Sequence, residues 1–305
     1  DADGTTIVVV NVPQGDQRPY QTNRDLFYIR TTSGRRRASR QELLRLFQAA
    51  ESFFYDETVV LQAALRDLDS RAFEEFLRSV YHRSLDEFDV GYERLLLNWR
   101  LVREREGQIH PTVAGILFFG REPQRFLPQS RVVAARIPGL DLAPAPSDAK
   151  QLEGPLPTLL EDAARFLRLH LQMSHRIEGF APEVQPELPE AALRETVVNA
   201  LAHRDYTIAA PVRLFVFDDR VEVRTPGRLP NTVTIEAMKL GAAHVLRNPA
   251  IYTLFSRIGM VTGIGSGVYR TIQLVREATG CEPEIYVQGN ELVVSLPRQR
   301  SLPES

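Results

Sequence analysis

Residues 189–206 run PEAALRETVVNALAHRDY. Pro189 stands where a first helical turn tolerates a missing N–H, and Glu190 sets negative charge at the positive end of the helix dipole, so a helix begins here. Glu195, Asn199 and His203 recur every four residues along one face, and Leu193, Val197 and Leu201 along roughly the opposite one. A carboxylate one turn before a carboxamide supplies a group that activates water and a hard oxygen for Mg²⁺, both of which nucleotide hydrolysis needs near its phosphates. Taken alone, the E-x-x-x-N spacing describes a solvated polar helix face more readily than a site.

The residues that follow shift that balance. In residues 211–230, PVRLFVFDDRVEVRTPGRLP, Leu214 and Val216, then Val221 and Val223, alternate around Asp218-Asp219-Arg220, which is hairpin chemistry, and Thr225-Pro226-Gly227 ends the second strand in a turn. Gly263, Gly265 and Gly267 stand directly before an apolar-periodic helix carrying Ile272 and Val275. Glycines at a helix N-terminus let backbone N–H groups reach a phosphate, although a glycine run also serves as a flexible turn. A closing hairpin is expected to turn at Gly289-Asn290.

This order of parts resembles the ATP-binding domain shared by gyrases, histidine kinases and mismatch-repair ATPases, the GHKL or Bergerat-type α/β sandwich. More narrowly, RETVVNALAHRDY, FDDRVEVRTPGRLP, LRNPAIYTLFSRIGMV and GSGVYR resemble a bacterial and archaeal branch labelled helicase-related or transcriptional regulator, in which a Schlafen AlbA-type domain precedes the ATPase-like one. The resemblance implies ATP and Mg²⁺ as cofactors, with Glu195 as general base and Asn199 as the Mg²⁺ ligand. It also implies a nucleotide site formed by Asn199, His203, Thr225, Gly227, Gly263, Gly265 and Gly267. One departure stands at the first glycine turn, where the wider superfamily places an Asp to accept the adenine amino group and this chain has Thr225. A hydroxyl accepts a hydrogen bond without the charge-assisted strength of a carboxylate.

At 305 residues, 43% hydrophobic and 25% charged, the chain has the composition of an ordinary folded protein with two or three cores. Its one cysteine, Cys281, excludes an intramolecular disulfide framework, and no Cys/His cluster suggests zinc, so a cytoplasmic location is expected. No apolar run approaches the roughly 18 residues of a membrane span. A net charge of −2 argues against a uniformly basic nucleic-acid binder, and only Lys150 and Lys239 among 37 basic residues are lysine.

A strand is expected from Thr5 to Val12, and a strand so near the first residue suggests that the chain is a trimmed fragment. Phe27 and Ile29 lie on one face of a second short strand, and a helix starts near Ser39, capped by that Ser with Glu42 three residues on. Residues 1–50 resemble the C-terminal part of the Schlafen AlbA-type domain; the acidic residues of its nuclease relatives fall upstream of the matching stretch. Arg30, Arg35, Arg36, Arg37, Arg40 and Arg45 gather within sixteen residues against Glu42 alone. They form either a phosphate-neutralising patch or a solvated loop.

Residues 51–126 are expected to be mostly helical, with helices from Arg71 to Val80 and from Leu85 to Arg103 and a break at Glu104–Gly107. That pattern suits a packing linker better than a winged-helix unit, since no basic recognition face is visible. His110 reads as part of a structural turn. A GHKL-like domain is expected over 127–305: a strand from Ser130, a loop from Gly139 to Pro157 with four prolines, and a long helix from Leu156 to Met173. His170 and His175 lack ligand-spaced companions. The expected class is therefore a multidomain α+β protein.

Two functions follow. The chain is an ATP-binding or ATP-hydrolysing protein whose nucleotide state acts on nucleic-acid binding (DNA or RNA undetermined), or a nucleic-acid-binding or homodimerising module with a degenerate ATPase-like domain. A helicase motor is not expected, because no G-x-x-x-x-G-K-[ST] loop exists in the chain.

Overall fold

The apolar and basic residues at 28–37 close into a hairpin, β1 (Tyr28–Thr31) pairing antiparallel with β2 (Gly34–Arg37). Helix α1 (Arg40–Ala49) follows. Its start is the expected capping box, in which the Ser39 N–H donates to Glu42 Oε2 at 2.8 Å and the Glu42 N–H donates to Ser39 Oγ at 3.3 Å. These elements belong to one unit, Asp1–Phe53, and the remainder to a second, Phe54–Ser305. The computed structural model describes residues 19–24, 26–31, 34–49, 53–171, 173–178, 181–230, 233–242, 245–261 and 265–298. The strand expected over 5–12 lies outside them.

In the second unit, Asp69 caps α2 (Ser70–Tyr81) by accepting from the Arg71 N–H at 3.0 Å, and Phe73, Phe76 and Leu77 point into the core. Helix α3 (Tyr92–Asn98) is far shorter than the expected helix from Leu85 to Arg103. The chain leaves it through Arg100, at φ 59°, and forms a hairpin of β3 (Val102–Arg105) and β4 (Gln108–Pro111). Glu106 and Gly107, with φ of 54° and 75°, make the left-handed two-residue turn that such hairpins favour. His110 lies in β4, its Nδ1 3.2 Å from the Ala63 carbonyl. Thr112 caps α4 (Val113–Phe119), every residue of which is buried. A Cβ on Gly115 would stand 2.1 Å from the Leu101 carbonyl oxygen, so α4 can lie against that backbone only with glycine there. A short helix, α5 (Pro123–Phe126), leads to the sheet.

The remaining elements are β5 (Val132–Arg136), β6 (Asp148–Leu152), α6 (Leu156–His170), β7 (Met173–Glu178), β8 (Ala181–Pro186) and α7 (Glu190–His203), followed by β9 (Val212–Val216), β10 (Arg220–Pro226), α8 (Ile235–Lys239), α9 (Pro249–Arg257), α10 (Gly267–Thr279), β11 (Glu284–Gln288) and β12 (Glu291–Pro297). Six strands form one sheet in the order β11-β12-β10-β9-β5-β6, antiparallel except where β5 runs parallel to β9. The proline-bearing stretch 139–157, expected as a loop, thus contains an edge strand; its prolines flank β6 at 144, 146, 155 and 157 and leave the ladder donors of 148–152 intact. Helices α6, α7 and α10 cover one face, over β5 and β6, β10 and β12 respectively. Val132, Ala134, Leu214, Val216, Val221 and Val223 alternate into that layer, giving a mixed α+β architecture. On the opposite face Ala135, Ile137, Phe215 and Phe217 form a second small cluster. The Arg220 guanidinium stands 4.0 Å from the Phe217 ring, and Glu222 holds both Arg220 and Arg224 at 2.7 Å.

The main core runs without interruption from Val60 to Leu296. Phe118 of α4 packs edge-on against Phe255 of α9 at 5.3 Å, joining the helices of 54–126 to the layer above the sheet. Among the described residues no helix is long and apolar enough to cross a membrane.

Candidate functional site

Helix α7 is buried nearly all round. Past its first turn only Arg194 is exposed, and Glu195, Asn199 and His203 are partly buried. The polar stripe is therefore a seam, not a solvated face, and it lines a cleft of about 320 Å³ between α7, α10 and the β10–β12 end of the sheet. That volume is in the range of small-molecule sites. Thr225 from the end of β10, Gly227 just beyond it, and Gly265 and Gly267 at the start of α10 line the same cleft. Gly263 lies outside the described residues. Ile285, Leu292 and Val294 form an apolar floor from β11 and β12, and Met238, Val245 and Leu246 close the side formed by the segment between β10 and α9.

Asn199 Nδ2 donates to Glu195 Oε1 at 3.1 Å, which leaves the Asn199 carbonyl oxygen as an acceptor. Burial raises the Glu195 pKa above the usual carboxylate value, against the lowering effects of the Asn199 hydrogen bond and the Arg270 and Arg194 charges. A Cβ on Gly267 would stand 1.8 Å from Glu195 Oε1, so the carboxylate lies directly against the α-carbon that opens α10. Burial, aided by the Arg247 charge, pushes the His203 pKa down to about 4, so the imidazole in the cleft wall is neutral at pH 7. Thr225 is 6% exposed, and its hydroxyl has no hydrogen-bond partner among the described residues.

Behind the cleft, residues 203–206, 225–227 and 247–249 are tied together. The Asp205 N–H donates to the Pro226 carbonyl at 2.7 Å, and the Asp205 carboxylate pairs with Arg247 at 3.2 Å and accepts from the Thr207 N–H and hydroxyl. Gly227, at φ 115°, could not carry a side chain, since a Cβ would fall 2.6 Å from an Arg247 nitrogen and 2.9 Å from Asp205 Cβ. Asn248 donates to the carbonyls of Ala202 and Arg204, both at 2.9 Å. Arg204 is wholly buried, donates to the carbonyls of Gln129 and Ala210, and lies 4.7 Å from the Tyr206 ring. Asp205 and Arg204 are thus structural, whereas Arg228, Arg247 and Tyr252 join the cleft wall. Sequence spacing does not single out these last three, because each stands alone in a loop or an apolar helix.

One more buried carboxylate supports the site from outside. Asp56 Oδ2 accepts from the N–H groups of Ala250 and Ile251 at 2.8 and 3.1 Å, capping α9 from about 195 residues away in sequence. Burial pushes its pKa up to about 7 despite those bonds.

Among the described residues no group of three His, Cys, Asp or Glu side chains could hold a metal alone. A carboxamide oxygen beside a carboxylate suits Mg²⁺, which typically takes one or two protein oxygens and shares the rest with phosphates and water.

Residues 209–296 match the family described as "Putative ATP-dependent DNA helicase recG C-terminal". The match includes Thr225, Gly227, Gly263, Gly265 and Gly267 and begins after Glu195, Asn199 and His203, and it supports an ATPase-like domain here. Residues 44–133 match a domain family of unknown function, DUF8451. No curated protein matches the chain. Among solved structures, the DIP2311 protein from Corynebacterium diphtheriae is similar in fold, at 23% identity and a TM-score of 0.64. That likeness covers 92% of this chain and 55% of the other, so this chain spans about half the neighbour's length.

Proposed function

We propose that the cleft between α7 and α10 binds ATP together with Mg²⁺ in a GHKL-type manner, and that the chain hydrolyses it slowly. The observation that carries this is convergence: Glu195, Asn199 and His203, then Thr225 and Gly227, then Gly265 and Gly267 come from three separated stretches and line one cleft. Asn199 offers its carbonyl oxygen to the metal, and Gly265 and Gly267 keep the α10 N-terminus open to phosphate oxygens. Glu195, partly desolvated and anchored by Asn199, takes a proton from the attacking water. Bound Mg²⁺ would neutralise phosphate charge and polarise the bond that breaks. The apolar floor accepts a base, and the neutral His203 and the Thr225 hydroxyl offer hydrogen bonds without adding charge.

We assign this cleft to residues 127–305, a supporting helical role to 51–126, and a nucleic-acid-facing role in a partial AlbA-type unit to 1–50, where Arg30, Arg35, Arg37 and Arg40 supply positive charge and Arg36 is paired with Glu42. In this reading nucleotide state modulates nucleic-acid binding, as in a cytoplasmic regulator or nucleic-acid-processing factor. Thr225 favours the second reading, a scaffold or homodimerising module that no longer takes nucleotide, because a hydroxyl holds an adenine amino group less strongly than a carboxylate does.

Calorimetric titration with ATP, with and without Mg²⁺, separates the two. Wild type should give saturable, Mg²⁺-dependent heat; Asn199→Ala should lose the Mg²⁺ dependence; Glu195→Gln should bind without releasing phosphate. No heat at millimolar ATP in wild type, or an unchanged titration in Asn199→Ala, would overturn the ATPase reading.

A further inference from the structure

The hairpin of β1 and β2 sorts its arginines onto two faces. Tyr28 stands opposite Arg37, Ile29 opposite Arg36, and Arg30 opposite Arg35. Directly paired residues point to the same side, and the side alternates along each strand, so Tyr28, Arg30, Arg35 and Arg37 share one face and Ile29 and Arg36 the other. The second face is turned toward α1: Phe27, on the Ile29 side, packs edge-on against Phe47 of α1 at 5.7 Å. Arg36 is neutralised there by a two-pronged bond to Glu42 at 2.8 and 2.6 Å. Glu42 in turn caps α1, and Arg36 and the Ser39 bonds hold its pKa down at about 2. Of the expected cluster, Arg36 is thus committed to holding the unit together.

The first face is different. Arg30, Arg35 and Arg37 are exposed and have no ion pair among the described residues. Arg30 and Arg35 form a directly opposed like-charge pair, an arrangement that destabilises a hairpin in the absence of a counter-charge. Tyr28, 40% exposed, lies in the same row, with the Arg35 guanidinium 5.7 Å from its ring centre. The patch measures about 7 Å along the strands and about 5 Å across.

We infer that the Tyr28, Arg30, Arg35 and Arg37 face is a docking platform for single-stranded nucleic acid, with guanidinium groups on phosphates and an unpaired base on the Tyr28 ring. The inference rests on the nucleic-acid reading proposed above and narrows it to one face and one kind of strand. Uncompensated cations select a polyanion, and an exposed aromatic ring among them selects a strand whose base faces are free; a duplex hides those faces in its stack. An anionic membrane would meet the same charge but would find a single tyrosine where apolar insertion requires a broader greasy face.

Fluorescence anisotropy on the whole chain, with a labelled single strand and a duplex of equal length across a salt series, tests this. The single strand should bind more tightly. Replacing Arg30, Arg35 and Arg37 together with Gln should weaken it at least tenfold and reduce the slope of log affinity against log salt by about 2, at about 0.7 per phosphate contact. Tyr28→Ala should weaken single-strand binding by at least about fivefold with the slope unchanged, whereas Arg36→Gln should lower Tm and leave the slope unchanged. Duplex binding as tight as single-strand binding, or an inert Tyr28→Ala, would overturn the platform while leaving phosphate contact intact. An equal slope in the triple variant, or binding only to anionic vesicles, would overturn the choice of face and partner. No binding of any nucleic acid by wild type would sink the broader reading as well.

Discussion

A methyl group at Gly267 would take the place of the Glu195 carboxylate, which it would meet at 1.8 Å. Gly267→Ala should swing Glu195 away from Asn199 and cut nucleotide hydrolysis by about a hundredfold, the scale of an ångström misplacement, with little loss of Tm. Phosphate release and a melt on one preparation check both parts. Asp205→Ala should do the reverse. It removes the carboxylate that pairs with Arg247, only 14% exposed in its side chain, and that accepts from the Thr207 N–H and hydroxyl, costing about 3 kcal/mol and several degrees of Tm. If ATP affinity fell while Tm held, Asp205 would be a binding group and not part of the frame. The sequence pattern exposed the Glu195, Asn199 and His203 seam because helical periodicity survives in a helix buried on all other sides. It could not expose Arg247 or Asp56, whose partners lie tens to hundreds of residues away.

Between elements, the contact most open to test is Asp56 against the N-terminus of α9. Its pKa of about 7 exceeds the unfolded value, so between about pH 4 and 7 the folded state holds a proton that the unfolded state has released. The Asp56 contribution to stability must therefore fall as pH rises through that window and level off above it, with a slope of up to about 1.4 kcal/mol per pH unit. His203 acts oppositely: its depressed pKa removes stability as pH falls below about 6.5. The clean measurement is the difference between wild type and Asp56→Asn in denaturant melts, where the variant should gain on wild type steadily from pH 4 to 7. A difference independent of pH would mean that Asp56 stays ionised in the fold. Elements with strong local signals, α7, α10, the β9–β10 and β11–β12 hairpins and the Ser39 capping box, were all legible from sequence. Two were not. The β3–β4 hairpin hides because Glu106 takes a left-handed conformation usually left to glycine or asparagine, and β6 hides because its prolines sit outside the five residues that pair.

At the scale of the whole molecule, every described residue of the main core falls between Val60 and Leu296, within the second unit. A chain begun at Phe54 should fold with a single cooperative melt and keep nucleotide binding while losing nucleic-acid binding; loss of both would show that the two activities share one structure. The α4–α9 aromatic contact and the Asp56 cap run through that same core, so a ligand ordering the cleft would be felt at α9 and α4. Where the ligand sits can be read directly. Hydrogen exchange measured by mass spectrometry, with and without saturating ATP and Mg²⁺, should slow in peptides covering 195–203, 225–230 and 265–272 and remain unchanged across β5 and β6. Protection confined to other segments, or none at saturation, would contradict a nucleotide site between α7 and α10.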